Sequence, residues 1–250
     1  MLTIIFLCIG GFLAAFVDSI AGGGGLISMP ILLMAGLPTH LALGTNKFAG
    51  SFGCFSSAYR YAKSGKTNIE LLKKLIPFTI IGCFLGVKCV LSISDTILNI
   101  LVFIMILVVA LYTYFKKELG TIDNFQGIND KNLKIGIIMA FSLGFYDGFF
   151  GPGTGTFLAF SLIKIYGFDF LSACANTKIL NFTSNFVALI LFMINGQILY
   201  SVAILYAISM ILGGYIGAKV AINKGSKLIK PIFLIMSIAV GFKLIYQIIK

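Results

Sequence analysis

Two lysines and two aspartates stand inside otherwise apolar stretches of this chain: Asp18, Lys47, Asp147 and Lys178. The rest of its 19 Lys and Arg and 8 Asp and Glu residues fall at the ends of those stretches or between them. An ionisable side chain at membrane depth costs ~2.5–3.5 kcal/mol on insertion scales, so its default reading is functional. An ammonium group with amide and hydroxyl donors around it is what desolvating a small anion requires, because each lost water must be replaced by a donor. Thr45 and Asn46 supply such groups beside Lys47, and Asn176, Thr177, Asn181, Ser184 and Asn185 supply them around Lys178. Asn181 and Asn185 are four residues apart and share a helix face with Thr177 or Lys178. Asp18 and Asp147 keep a cation or proton role open, as coupling groups or as counter-ions to the lysines when no substrate is bound. A purely structural Asp–Lys pairing is the competing reading.

Two glycine-rich runs, Gly22-Gly23-Gly24-Gly25 and Gly151-Pro152-Gly153-Thr154-Gly155, follow the two aspartates. Each breaks a helix, and the backbone that follows starts a new one whose free N–H groups and dipole attract an anion. Gly23, Gly24, Gly153 and Thr154 therefore join the candidate substrate site. Irregular backbone inside a membrane is tolerated only where protein buries it or a cavity lines it. A nucleotide-binding loop is excluded, since neither run is followed by Lys-Ser or Lys-Thr.

Other chemistry is hard to assemble. His40 is the one histidine, at a segment start near Pro38, so neither a His-based metal site nor a catalytic triad can be built around it. It reads as an interfacial residue. Cys8, Cys54, Cys83, Cys89 and Cys174 form no CxxC pair and lie in apolar settings, where Cys behaves as a small hydrophobe. They read as packing residues. A membrane-embedded enzyme would need a nucleophile, metal cluster or acid–base pair that these residues do not offer; no catalytic residue, metal or cofactor is expected.

The elements that position these groups follow from hydropathy. Of 250 residues 59% are apolar and 11% charged, and the mean hydropathy is +1.04, outside the range of a water-soluble domain. Stretches such as Ile97 to Phe115, Ile135 to Phe150 and Ile232 to Ile249 approach the ~20 residues that cross a bilayer. The 28 glycines suit close helix packing in lipid. The net charge of +11 lies in short loops and not on a soluble basic domain, which argues against nucleic acid as a partner. The segment Met1 to Phe16 lacks a basic n-region, so it is expected to stay as the first membrane helix.

Offsetting the chain against itself by 129 to 131 residues aligns Asp18 with Asp147, Gly22 and Gly24 with Gly151 and Gly153, Lys47 with Lys178, and Gly82 and Gly86 with Gly213 and Gly217. Each half reads as five helical segments: 2–20, 25–36, 40–62, 69–90 and 96–115, then 134–150, 155–166, 171–194, 198–220 and 228–249. The expected organisation is a first membrane repeat over 1–115, a cytoplasmic linker over 116–133 and a second membrane repeat over 134–250. The second segment of each half, ~18 Å long by helix rise, falls short of the ~30 Å core and is expected to be tilted or re-entrant.

If the first two segments of each half make an even number of crossings, Arg60, Lys63, Lys66, Lys73, Lys74, Lys116, Lys117, Lys131, Lys134, Lys164, Lys219, Lys224, Lys227 and Lys230 share one face, and only Lys88, Lys243 and Lys250 fall on the other. The positive-inside bias then favours two inverted repeats with both termini outside the cytoplasm. The expected fold is all-α and polytopic, two inverted repeats with about 8–10 transmembrane segments, an arrangement common in secondary transporters.

The runs Asp18-Ser-Ile-Ala-Gly-Gly-Gly-Gly-Leu-Ile, Gly36-Leu-Pro, Ala42-Leu-Gly-Thr-Asn-Lys47, Gly144-Phe-Tyr-Asp-Gly-Phe-Phe-Gly-Pro-Gly-Thr-Gly155 and Asn181-Phe-Thr-Ser-Asn185 resemble the TauE/SafE (TSUP, sulfite exporter) family, in particular its YfcA-like branch. The likeness spans nearly the whole chain. The resemblance implies a multi-pass permease of the bacterial inner membrane for small sulfur- or carbon-containing anions such as sulfite, sulfonates or sulfoacetate. The expected function is secondary transport of such an anion across the plasma membrane, with export preferred. A channel and a proton-coupled importer are the alternatives. The expected partners are a small anionic substrate and the lipid bilayer; oligomeric state is not read from the sequence.

Overall fold

The computed structural model describes residues 2–115, 123–125 and 127–224. The expected segment 228–249, residues 116–122 and 126 of the linker, and Lys227, Lys230, Lys243 and Lys250 lie outside the described residues. Among the described residues the elements are helices: α1 (Leu2–Ala21), α2 (Gly25–Met34), α3 (Thr39–Lys63), α4 (Ile69–Leu91), α5 (Asp95–Phe115), α6 (Asp130–Phe149), α7 (Thr154–Tyr166), α8 (Phe170–Ile194) and α9 (Tyr200–Lys224).

Polar side chains fix where several of them begin. Asn68 accepts a hydrogen bond from the Leu71 N–H at the start of α4, and Asp169 accepts one from Ser172 N–H at the start of α8. At α6 the Asn129 and Asn132 side chains accept reciprocally from each other's backbone N–H at 2.9 and 2.8 Å, a capping box. This box moves the helix start to Asp130, four residues ahead of the expected 134; the connection between the halves is shorter than 116–133 by that much. Asn129 is thus the residue that initiates α6.

Among the described residues four helices are long and apolar enough to cross a membrane: α4, α8, α9 and, over Ile4–Ala21, α1. α3 has 25 residues but turns Thr45, Asn46, Lys47, Ser51 and Ser57 inward, so its composition is more polar. The outer surface is apolar instead: Ile80, Ile81, Phe84 and Leu85 of α4 and Ile204, Leu205, Ile208 and Leu212 of α9 are exposed. A soluble domain inverts this pattern; a helix bundle in lipid requires it.

Packing fixes the directions of the helices. Cβ atoms on Gly82 and Gly86 of α4 would collide with the carbonyls of Phe141 and Phe145 of α6, and Cβ atoms on Gly213 and Gly217 of α9 would collide with those of Phe12 and Phe16 of α1. The small-xxx-small spacing therefore brings each pair of backbones together, in parallel. α3 and α9 are parallel as well, since Ser56 donates to the Ile211 carbonyl and Arg60 to Tyr215 Oη, both at 2.9 Å. α4 and α8 are parallel through Asn68 N–H to Asn176 Oδ1 and Cys83 Sγ to the Ser184 carbonyl. α3 and α8 are antiparallel: Gly44 near the start of α3 abuts the Gln197 carbonyl beyond the end of α8. So α1, α3 and α9 run one way while α4, α6 and α8 run the other. Helices equivalent under the repeat (α1 and α6, α3 and α8, α4 and α9) run in opposite directions.

The two short helices diverge from the middle. α2 returns along α1, with Ile31 against Gly10, toward the end of the bundle where His40 bridges Asp95 Oδ1 at 2.6 Å and the Val90 carbonyl at 3.1 Å. His40 thus ties α3, α4 and α5 at one rim. α7 runs to the opposite rim, where Gly167 accepts from Asn124 N–H. With 10 and 13 residues, they rise ~15–20 Å, about half of a bilayer core.

Candidate functional site

The two glycine runs meet each other in the middle of the bundle. A Cβ on Gly22 would lie 2.5 Å from the Gly155 carbonyl carbon and the Thr156 nitrogen, and one on Gly25 would lie 2.7 Å from Pro152 Cα. Backbone crosses backbone here, and only residues without a side chain permit the approach. Tyr146 Oη holds the second loop by donating to the Pro152 carbonyl at 2.6 Å. Tyr61 Oη holds the end of α1 by donating to the Ser19 carbonyl at 2.8 Å.

Around this crossing the four internal charges pair between halves. Lys47 Nζ of α3 lies 2.9 Å from Asp147 Oδ1 of α6, and Lys178 Nζ of α8 lies 2.5 Å from Asp18 Oδ2 of α1. Lys47, Lys178 and Asp147 are at most 2% exposed, whereas the Asp18 side chain is 15% exposed. Each aspartate is also held by the third helix of its own half. Cys54 Sγ approaches Asp18 Oδ2 at 3.8 Å, and Ser184 Oγ donates to Asp147 Oδ2. Asp18 Oδ1 further accepts from the Gly24 N–H at the start of α2, at 3.0 Å. Asn185 Nδ2 stands 3.5 Å from Asp147 Oδ2. Gly151, at φ +97°, leaves room for the Lys47–Asp147 pair, since a Cβ would sit 2.8 Å from Lys47 Nζ. Burying two ions costs several kcal/mol each before their attraction repays it, so pairs this deep need the extra donors that each carboxylate has.

A cavity of about 40 Å³ lies against these pairs, lined by Asp18, Lys47, Asp147, Cys54, Asn46 and Ser28 among others. By this measure a water needs ~10–15 Å³, so the space holds a few waters. Asn181 and Asn185 also face it; Asn185 Nδ2 donates to Asn181 Oδ1 at 2.6 Å. Both lie beyond Lys178 toward the C-terminus of α8, so the cavity extends from the charges toward the His40 rim. Ser28 Oγ and Asn46 Oδ1 are buried without a hydrogen-bond partner, as are Thr156 Oγ1 and Thr177 Oγ1.

The expected site residues divide. Lys47, Asn46, Asn181, Asn185, Gly24, Gly153, Asp18 and Asp147 converge on the cavity, with Lys178 behind Asp18. Gly23 lies in the loop beside Thr156. Thr45 and Asn176 are not brought to the cavity. Thr45 Oγ1 accepts from Leu199 N–H at 3.1 Å and Asn176 Oδ1 from Asn68 N–H at 2.8 Å, so each anchors the turn that precedes the fourth helix of the other half. Thr154 Oγ1 donates to the Gly151 carbonyl within its own loop. Thr177, the repeat equivalent of Asn46, is buried but does not line the cavity.

Cys54, read from sequence as a packing residue, instead points its thiol at Asp18. It lies seven residues after Lys47, as Asn185 lies seven after Lys178, and that repeat position identifies it. Ser28 sits one turn into α2, and nothing in the sequence separates it from an ordinary packing serine. Among the described residues no group of three or more His, Cys, Asp and Glu side chains is placed to hold a metal.

Comparison with known proteins agrees with the architecture. The sequence profile described as "Sulfite exporter TauE/SafE" matches residues 7–244. A "Probable membrane transporter protein" of Haemophilus influenzae is 39% identical over 99% of this chain and 95% of its own length. A "Probable membrane transporter protein ORF9" of a Sinorhizobium species is 37% identical over 96% of this chain and 91% of its own. "Probable membrane transporter protein YfcA" of Escherichia coli K12 is 33% identical, over 94% and 87%. No solved structure matches the chain.

Proposed function

Since this chain belongs to the sulfite exporter TauE/SafE family and is a membrane transporter, we propose that it carries a small anion, a sulfur oxyanion, organosulfonate or carboxylate, through the crossing of its two glycine loops. The observation that supports this most is the pair of crossed contacts Lys47–Asp147 and Lys178–Asp18. Two ammonium groups stand at the centre, each neutralised by a carboxylate of the opposite half. A substrate anion that takes the place of a carboxylate on a lysine breaks a link between halves. Binding is thereby coupled to relative movement, which is what a carrier needs.

Opposite running directions of equivalent helices support an inverted repeat with its site near the midplane. Arg60, Lys63, Lys66, Lys131, Lys134 and Lys164 gather toward the rim away from His40, so the positive-inside rule makes that rim cytoplasmic in a bacterial inner membrane. The cavity then lies on the outer side of Lys178.

An inside-negative potential drives each negative charge outward by ~2.3 kcal/mol per 100 mV, so export needs no further energy source. Import would need a coupled proton or cation, and Asp18 and Asp147 are the groups positioned to take one. The test is efflux of labelled sulfite from proteoliposomes under a valinomycin-set potassium potential. Efflux that accelerates with an inside-negative potential supports electrogenic export. Efflux indifferent to potential and accelerated by a proton gradient points to the coupled importer.

A further inference from the structure

The two crossed ion pairs occupy different surroundings. Asp147 also lines the cavity but is only 2% exposed, and it receives Lys47 Nζ, the Ser184 hydroxyl and the Asn185 amide. Asp18 is 15% exposed and faces the cavity. Its carboxylate receives Lys178 Nζ at 2.5 Å, the Gly24 N–H at the start of α2 at 3.0 Å and a thiol at 3.8 Å. An ammonium, a helix-start N–H and a soft donor converging on one carboxylate make a donor set that fits an anionic head group. Asp147 has no backbone N–H from a helix start among its partners.

Beside Asp18 the cavity holds two polar atoms with nothing to bond. Ser28 Oγ, on a side chain 1% exposed, and Asn46 Oδ1, on one 8% exposed, both line it without a partner. Buried polar groups are nearly always satisfied, so orphans that line a cavity are open to the atoms of a water or of a ligand that replaces it.

We infer that the Asp18 carboxylate is a tethered occupant of the substrate's anion subsite, formed by Lys178 Nζ, the Gly24 N–H and Cys54, and that the Lys47–Asp147 pair is a permanent tie between the halves. This rests on the anion-carrier reading and names its subsite. The substrate's charged head displaces Asp18 from Lys178, and the remainder of the molecule meets Ser28 and Asn46. The orphaned Asn46 carbonyl oxygen favours an anion that carries a hydrogen-bond donor beyond its charged head.

Competition from a tethered carboxylate has a consequence opposite in sign to that of an ordinary binding residue. Removing its charge strengthens substrate binding. The ionisable groups around Asp18 are Lys178 and Cys174 of α8, Cys54, Tyr61 and Lys47 of α3, and Asp147 of α6. Asp147 is the other carboxyl of the set, which makes it the control.

The experiment measures binding of methanesulfonate, whose charge is fixed between pH 5 and 8, and of sulfite at pH 8, to the full-length protein in detergent. Wild type, Asp18→Asn and Asp147→Asn are compared. The expected result is binding about tenfold tighter in Asp18→Asn and no tightening in Asp147→Asn. The neutralised pair Lys178→Met with Asp18→Asn gives a second reading: it loses the binding that Asp18→Asn gains. Asp147→Asn tightening as Asp18→Asn does, Asp18→Asn binding more weakly than wild type, or the neutralised pair binding as tightly as Asp18→Asn would each overturn the assignment while leaving anion binding intact. If neither wild type nor Asp18→Asn binds either anion, the carrier reading fails, and the subsite with it.

Discussion

Lys178 Nζ stands 2.5 Å from Asp18 Oδ2, joining α8 of one half to α1 of the other, 160 residues away in sequence. The reciprocal contact joins Lys47 to Asp147 at 2.9 Å. Repeat-related residues thus pair across the halves and not within them. Every movement of one half against the other must therefore reckon with both contacts.

Removing one partner of the buried Lys47–Asp147 pair strands a charge. Asp147→Ala is expected to cost ~3–5 kcal/mol of stability, whereas the double change Lys47→Met with Asp147→Leu should recover most of it, because a well-packed apolar pair is close to neutral. Chemical unfolding in detergent reads both. Recovery should restore the fold without restoring transport.

Thr45 and Asn176 serve as a contrast within the polar set. Each holds one backbone N–H in a turn near a rim. Thr45→Val and Asn176→Leu should each cost ~1–3 kcal/mol through the N–H left unbonded, with KM for the transported anion unchanged. Asn46→Ala, at the cavity, should change KM and leave the unfolding midpoint nearly where it was. Steady-state transport paired with thermal unfolding separates the two classes, and equal effects on KM would reverse the assignment.

Gly151 tests the loop crossing. Its φ of +97° and the 2.8 Å approach of Lys47 Nζ leave no place for a Cβ. Gly151→Ala should strain the backbone by ~1–3 kcal/mol and displace Lys47, so transport falls more steeply than stability. A substitution that leaves the rate unaltered would show that the loop can shift without consequence.

Orientation is checked by labelling. With Cys89 replaced by Ser, a cysteine at Asp95 should react with an impermeant maleimide on intact cells, and cysteines at Lys63 or Lys164 should react only after permeabilisation. The reverse pattern would place the His40 rim in the cytoplasm and turn the cavity to face inward.

Much of this arrangement is legible in the sequence. Polar turns such as Asn68 and Asp169 sit where hydropathy drops, so the described helix boundaries lie within a few residues of the expected ones. The Asn129 start of α6 escaped because the capping box is built from a second asparagine that looks like part of the loop. The four charges stand out because apolar surroundings make them costly. Their partners do not, since a repeat register aligns Asp18 with Asp147 and says nothing of which lysine each faces. Side-chain direction is also hidden: Thr45 and Asn46 are adjacent, yet helix geometry turns one to the rim and the other to the cavity. Cys54 was masked by its own chemistry, because thiols are ordinary in apolar helices.

The central claim, that a substrate anion is carried on the lysine now paired with Asp18, is tested most directly by counterflow of labelled sulfite in proteoliposomes. Lys178→Met alone would strand Asp18, so the comparison is between wild type and the neutralised pair Lys178→Met with Asp18→Asn, each shown to be folded by its unfolding midpoint. The account predicts robust counterflow in wild type and at least an approximately tenfold loss in the neutralised pair, worth ~1.4 kcal/mol or more. Counterflow at the wild-type rate in a folded protein without the Lys178 ammonium would contradict it.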